Sequence, residues 1–403
     1  MKMPGACALA AAGIILTIVG MVPGIVSGGG APARYGLEVV ESSAAIEGLT
    51  VSRESNGSWR RVSRRVASPW PFRRSTPAAE GMDEAVLERA YQRAAEIPRI
   101  YSMLVVRNRA LVAEQYFNGR SRTRAEPVAS ASKSIIGALV GIALRDGYLT
   151  DLDQRMIDFF PEFDTHELDP RKRDITIRHL LQMRAGYPFD STNEYFNRLS
   201  ASRNWMRFIL LDWELESDPG AAWNYSSASS HVLAGILARA IPTDLRYFAN
   251  RHLFESMGLS LGYWPRDPQG YYIGHGDIHC TPLLLACFGQ LALDNGYWRG
   301  RSVLPPWWMN QSWKTHSATW YANTIWPYRD ISYGYQWWQA DVDGHEVHFA
   351  WGHGGQFVTV APSLEMVVVT TADNFVGDFT DNSWNTEGAI FRLIATDVLP
   401  AAY

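Results

Sequence analysis

Lysine is nearly absent from this chain. Of 37 basic residues only Lys2, Lys133, Lys172 and Lys314 carry an amine, and the other 33 are arginine. Chemistry that needs a neutral amine therefore has few candidates, because a guanidinium does not give up its proton. Positive net charge is absent as well: 41 acidic residues leave a formal charge of −4, which argues against a nucleic-acid partner. The three cysteines, Cys7, Cys280 and Cys287, are too few for a disulfide scaffold and lack the paired spacing of a zinc site. Cys280 and Cys287 flank a helix start and read as packing residues. No internal repeat and no regular alternation of strand and helix runs through the sequence, which argues against a barrel or a doubly wound sheet. Charged residues make 19% and hydrophobic ones 47% of the 403 residues. Disorder is excluded, and at roughly 150 residues per domain the length fits about two domains.

What is present begins with a leader. Residues 3–33 hold no charge, and Ala6 to Val26 is a largely apolar run of 21 residues behind Lys2. This reads as an export signal, long for a cleaved apolar region and close to the ~20 residues that span a bilayer. Cleavage after Ala33 and retention as an N-terminal anchor are both consistent with it, and either places the body outside the cytoplasm, with membrane attachment through this segment in the second case. Residues 34–82 carry clustered arginines (Arg60, Arg61, Arg64, Arg65, Arg73, Arg74) among Pro69, Pro71 and Pro77. They read as a linker, the alternative being a basic strip against anionic lipid.

From there the periodicities predict a helix over Met82–Ile97, then a hairpin of Ile100–Val106 and Ala110–Phe117 about Arg107-Asn108-Arg109. A long helical and loop-rich stretch follows. Within it Thr176 caps a helix ending near Gly186, and Thr281-Pro282 opens another that stops at Asn295-Gly296. Strand character returns at Glu346–Trp351, Phe357–Ala361 and Met366–Thr371, before a last helix around Thr386–Val398. The expectation is an α+β body over residues 83–398. Its antiparallel sheet is drawn from both ends of the body (about 83–117 and 340–398), is flanked by helices, and surrounds a mostly helical insertion (about 118–339).

Three short strings carry chemistry. In Ser130-Ala131-Ser132-Lys133 a serine and a lysine at i and i+3 on one helical turn face the same way, so the amine can reach the hydroxyl. The helix start adds a backbone N–H and a positive end for an oxyanion beside Ser130. Lys133 can serve as a base there once burial or a cationic neighbour lowers its pKa. Second, Trp223-Asn224-Tyr225-Ser226-Ser227 follows a Pro-Gly turn and precedes an apolar helix, a setting that can project a phenol into a cleft for proton exchange. Third, Trp351-Gly352-His353-Gly354-Gly355-Gln356-Phe357 lies between two strands. Its glycines admit a substrate to the backbone edge, and the Gln356 N–H could complete an oxyanion hole with that of Ser130.

Taken in order, these strings resemble the serine β-lactamase and penicillin-binding-protein-like superfamily, in its class C-like esterase and amidase branch. Its motifs S-x-x-K, Y-x-N or Y-x-S, and K-T-G or H-x-G match Ser130/Lys133, Tyr225/Ser227 and His353/Gly355. Within that superfamily the chain is most similar to 6-aminohexanoate-dimer hydrolases. The resemblance implies the β-lactamase/transpeptidase-like fold and a serine hydrolase that cleaves a small-molecule ester or amide with no metal or organic cofactor. Ser130 would be nucleophile, Lys133 base and Tyr225 proton relay. The Ser130 and Gln356 N–H groups would hold the oxyanion, with His353, Gly355 and Ser227 lining the site. Ser227 stands where true class C lactamases have asparagine, and His353 where a lysine would hold a β-lactam or peptide carboxylate. Both count against the alternative of a β-lactamase or D,D-peptidase. Lys314-Thr315-His316 imitates K-T-G without its glycine and is a decoy.

Other readings fare worse. A Ser-His-Asp hydrolase needs a nucleophile elbow of the form G-x-S-x-G, and none is found. His275-Gly276-Asp277-Ile278-His279 and His345-Glu346-Val347-His348 are not H-E-x-x-H zinc sites. Asp151-Leu152-Asp153 is too short for a calcium loop, and His179 reads as structural. Eight of 16 tryptophans lie between Trp307 and Trp351; packing is the plain account, an aromatic wall for an apolar or planar substrate the functional one. An exported binding or sensor protein on the same fold is the non-enzymatic alternative, against which the complete Ser130, Lys133 and Tyr225 set stands.

Overall fold

The computed structural model describes residues 71–189, 193–374 and 381–403, together with the backbone of two short strands, Thr50–Arg53 and Trp59–Val62, which pair antiparallel with each other. The leader and most of the expected linker lie outside the described residues. No described helix is long and apolar enough to cross a membrane.

Nine strands form the main sheet among the described residues: β1 (Arg73–Arg74), β2 (Ile100–Arg107), β3 (Ala110–Tyr116), β4 (Ser317–Ala318), β5 (Arg329–Tyr333), β6 (Trp338–Val342), β7 (His345–Gly352), β8 (Gln356–Ala361) and β9 (Met366–Ala372). Their spatial order is β4-β5-β6-β7-β8-β9-β2-β3-β1, antiparallel throughout except for the β1–β3 pair. Both ends of the body do meet in one sheet, with β9 beside β2 and Val367 opposite Val106. Helices α1 (Glu84–Ala95), α2 (Ser132–Arg145), α3 (Ile177–Leu181), α4 (Ser227–Ala240), α5 (Pro282–Leu293) and α6 (Asp381–Leu393) surround it.

Local sequence explains these elements. Asn108 and Arg109 both take positive φ (49° and 60°), the two-residue turn whose twist suits a hairpin. Asp83 and Thr281 accept from the backbone N–H three residues on and so cap α1 and α5. Along β2 and β9 nearly every side chain is buried, because the sheet is covered on both faces. Met103, Val105 and Val368 meet Leu87, Ile390 and Val398 on one face; Leu104, Val106, Val358 and Val367 meet the α2 and α5 side chains on the other. The α5 contact is close enough that a Cβ on Gly289 would lie 2.5 Å from Val367.

Two expectations need correcting. Residues 71–82 are part of the body rather than linker: Phe72 and Met82 are buried, β1 extends the sheet, and Arg73 pairs with Glu80 at 2.5 Å. The sheet also takes in more of the middle than expected, since β4, β5 and most of β6 precede or straddle residue 340. Their aromatic and polar residues do not alternate cleanly, which hid them. Lys172, in the charged run Arg171-Lys172-Arg173, is completely buried and donates to the carbonyls of Ile209, Leu210 and Trp213 at 3.2, 2.9 and 2.6 Å.

Candidate active site

Ser130 sits in a tight turn, Ala129–Ala131, that runs directly into α2. Ala129 holds a positive φ of 44°, a strained conformation for a residue with a Cβ. It sets the half-buried Ser130 at the head of a helix otherwise sunk in the core. One turn on, Lys133 is 1% exposed, and its Nζ donates to Ser130 Oγ at 2.8 Å and to the His275 carbonyl at 2.7 Å. The i,i+3 pair expected from sequence is therefore formed. The Tyr225 ring lies with its centroid 4.9 Å from Lys133 Nζ. Tyr225 is the second residue before α4, whose first residue, Ser227, is buried.

The third string closes the site from the sheet side. Gly352, the last residue of β7, pairs with Gln356, the first of β8. A Cβ on Gly352 would meet Val128 O at 2.3 Å and Ala131 N at 3.0 Å, so the strand end lies against the turn that carries Ser130. Only glycine permits that approach. Between the strands Gly354 and Gly355 take φ of 85° and 109°. The Gln356 side chain turns away from the serine, its amide donating to Ala372 O at 2.6 Å and accepting from Ala372 N at 3.1 Å. That leaves the backbone as this residue's route into chemistry at Ser130.

Several residues at the site escaped the sequence reading. Glu387 of α6 is 2% exposed and accepts from Trp351 Nε1 at 2.8 Å and Gly354 N at 2.7 Å, with His353 Nδ1 at 3.0 Å. Its place in the chain, in a polar stretch of the last helix, carries no signal of this. The segment weighed only as a zinc motif, His275–His279, instead wraps the Ser130 turn. Val128 N donates to Ile278 O, Ile278 N to Ser132 Oγ at 3.1 Å, and Glu126–Pro127 pairs with His279–Cys280. Burial, helped by the neighbouring His231 and Lys133, pushes the His275 imidazole well below its ordinary pKa. Burial pushes the Asp277 carboxyl up, against the pull of Lys133 and His279. Behind them His231 Nε2 faces Asp267 Oδ2 at 3.2 Å and its Nδ1 accepts from Gly274 N at 3.3 Å, which ties the loop down.

His179 completes a capping box with Thr176, each backbone N–H reaching the other's side chain at 3.3 Å. The tryptophans divide. Trp308 fills the space over Gly141 of α2 in the core, and the half-buried Trp313 packs against that core and stacks on His348 at 4.1 Å. Trp338 and Trp351 instead join Tyr225, Tyr321, Trp320 and Phe189 in a run of ring contacts that leads from the lysine to the surface, where Trp320 is 54% exposed. One expectation fails outright: Gly258-Leu259-Ser260-Leu261-Gly262 does satisfy G-x-S-x-G. It lies in an irregular segment after a short helical turn, with Ser260 exposed, and no strand leads into it, so it is not an elbow. Among the described residues no group of three or more His, Cys, Asp or Glu could hold a metal.

A family model described as Beta-lactamase matches residues 87–390. The chain belongs to the beta-lactamase family. Within it the chain is 24% identical over 301 residues, 66% of this chain and 71% of the relative, to a 6-aminohexanoate-dimer hydrolase of Paenarthrobacter ureafaciens. Solved beta-lactamase-like structures share the fold. One from Bacillus anthracis that carries a 6-aminohexanoate-dimer hydrolase name gives a TM-score of 0.63 at 19% identity, covering 81% of this chain and 88% of its own. A penicillin-binding protein homologue from Caulobacter crescentus gives 0.56 at 16% identity, over 80% and 98%. In beta-lactamase terms, then, the sheet of both chain ends with its helical insertion is the fold expected from the motifs.

Proposed function

We propose that the protein is a serine hydrolase that cleaves a small-molecule carboxylic ester or amide through an acyl-enzyme. The observation that carries this reading is the 2.8 Å contact between Ser130 Oγ and a lysine amine that is only 1% exposed. In acylation the Ser130 oxygen attacks the carbonyl carbon, and its proton passes to the neutral Lys133 amine. The oxyanion that forms lies between the backbone N–H groups of Ser130 and Gln356. The proton then travels through the Tyr225 hydroxyl to the departing alcohol or amine as the carbonyl re-forms and the bond breaks. Water attacks the acyl-serine in the second half, and the acid leaves with Ser130 restored. His353, Gly355 and Ser227 line this site. The curated relative's name, a hydrolase of a 6-aminohexanoate dimer, supports an amide as one substrate class. The apolar run behind Lys2 supports action outside the cytoplasm.

The test is intact mass after treatment with a fluorophosphonate and, separately, with a penicillin, with Ser130→Ala as control. A single phosphonyl adduct that vanishes in Ser130→Ala is expected. No Ser130-dependent adduct from either probe refutes the nucleophile, and a lasting penicilloyl adduct would move the reading toward a penicillin-binding protein. Hydrolysis of short acyl esters against linear amides then separates esterase from amidase, which share this machinery and differ in pocket contacts.

A further inference from the structure

The Glu387 carboxylate has no role in the steps above, yet it is buried beside them and gathers three donors from one stretch of four residues. Oε2 accepts from the Trp351 indole at 2.8 Å, and Oε1 accepts from the Gly354 backbone N–H at 2.7 Å and faces His353 Nδ1 at 3.0 Å. A buried carboxylate is costly unless it is paired and hydrogen-bonded, and here every contact goes to the segment that ends β7 and leads into β8. That segment bears on both halves of the site. At one end the Trp351 ring packs against Trp338 at 5.2 Å and Tyr321 at 6.0 Å, within the aromatic run that reaches Tyr225. At the other end it runs through Gly355, whose carbonyl accepts from Thr370 Oγ1 at 2.9 Å, into Gln356. The link to α6 therefore spans the aromatic wall and the strand start in one group. It also ties down the imidazole of His353 through Nδ1.

We propose that Glu387 is a positioning residue. It holds the 351–354 segment so that the Gln356 N–H keeps its place opposite Ser130. The proposal rests on the serine-hydrolase reading. A bond network that fixes an oxyanion donor acts on the transition state more than on the bound substrate, so its loss should lower kcat with little change in KM.

The informative variant is Glu387→Gln. A carboxamide can keep the acceptor on the Gly354 and His353 side, but its amino group then opposes the Trp351 N–H. Trp351→Phe/Glu387→Gln removes that opposition and keeps the variant assayable if the single substitution folds poorly. With p-nitrophenyl acetate we expect kcat of both variants to fall at least tenfold with KM within threefold of wild type, and Ser130 phosphonylation to slow by a similar factor. The near-ultraviolet circular dichroism of the double variant should match that of Trp351→Phe alone. A folded Glu387→Gln or double variant with kcat and labelling rate within twofold of its parent would overturn the positioning role. The labelling of wild type keeps the two readings apart. If wild type itself takes no Ser130-dependent adduct, the hydrolase reading fails; if wild type labels and the variants label equally fast, only the role of Glu387 fails.

Discussion

Gly352 offers a sharp test of the site, because a single methyl group there has nowhere to go. Its Cβ would sit 2.3 Å from the Val128 carbonyl oxygen, 2.9 Å from Gln356 Cβ and 3.0 Å from Ala131 N, where ordinary contact begins at 3.4 Å. The shortfall against Val128 O is 3.4 − 2.3 = 1.1 Å. Two of the three neighbours are backbone atoms of the segment that holds Ser130, so no rotamer change relieves the overlap. The end of β7 has to move about an ångström away from the Ser130 turn. A displacement of that size costs on the order of 10²-fold in rate, whereas overpacking of this kind costs about 1–3 kcal/mol in stability. Gly352→Ala should therefore remain folded, with a melting temperature lowered by several degrees, and lose about two orders of magnitude in kcat/KM for p-nitrophenyl acetate. Gly81→Ala is the matched control: it has a positive φ of 73° but nothing within 4 Å of its Cβ, so it should cost stability alone. A folded Gly352→Ala enzyme within threefold of wild-type kcat/KM would refute the close approach of strand and serine on which the oxyanion assignment depends.

Other consequences follow from the same geometry. Lys133→Ala and Lys133→Arg should both abolish ester hydrolysis, because the alanine has no amine and the guanidinium cannot accept the serine proton; measurable turnover in the arginine variant would exclude the amine as base. Lys172→Met should destabilise the fold by about 3 kcal/mol or more, since three carbonyls lose their donor in a buried setting. Burial lowers the Lys172 amine from 10.5 to about 8, so the unfolded chain holds this proton more tightly over that interval. Its contribution to unfolding free energy should accordingly rise with pH between about 8 and 10.5, and the slope should flatten in Lys172→Met, measured by urea unfolding across that range. Cys280 and Cys287 are buried free thiols whose pKa values burial pushes up, so the native protein should leave both unmodified by a disulfide reagent and expose both on unfolding; rapid native labelling of either would contradict their packing.

Much of the fold was legible because its signals are local. The hairpin of β2 and β3 announces itself through two β-rich runs around a turn pair, and it forms with the turn at Asn108-Arg109. The expected strands at Glu346–Trp351, Phe357–Ala361 and Met366–Thr371 each appear within a residue or so at either end. The caps at Thr176 and Thr281 are in place, although the first helix is shorter than expected, since α3 ends at Leu181. The short strands β4 and β5 were not legible, because strands of this kind gain their stability from the neighbour they pair with rather than from their own alternation. The burial of Lys172 was not legible for a related reason: flanking arginines mark a charged run, but burial is decided by what packs over a side chain.

The same division runs through the site. Ser130 and Lys133 could be paired from sequence because i and i+3 share a face of any helix, whatever surrounds it. The pairing within the first motif was in this sense set before folding, and so was the scarcity of amines that singled Lys133 out. What only the tertiary structure decided are the partners of those groups. Lys133 rests on the carbonyl of His275, 142 residues away, and a carbonyl is common to every residue and leaves no mark in a sequence. Glu387 reaches a loop 33 residues before it for the same reason: three unremarkable donors become a site only when a strand end and a helix are packed side by side. Residue spacing within a turn is fixed by backbone geometry, while contacts between elements depend on how the whole core is filled.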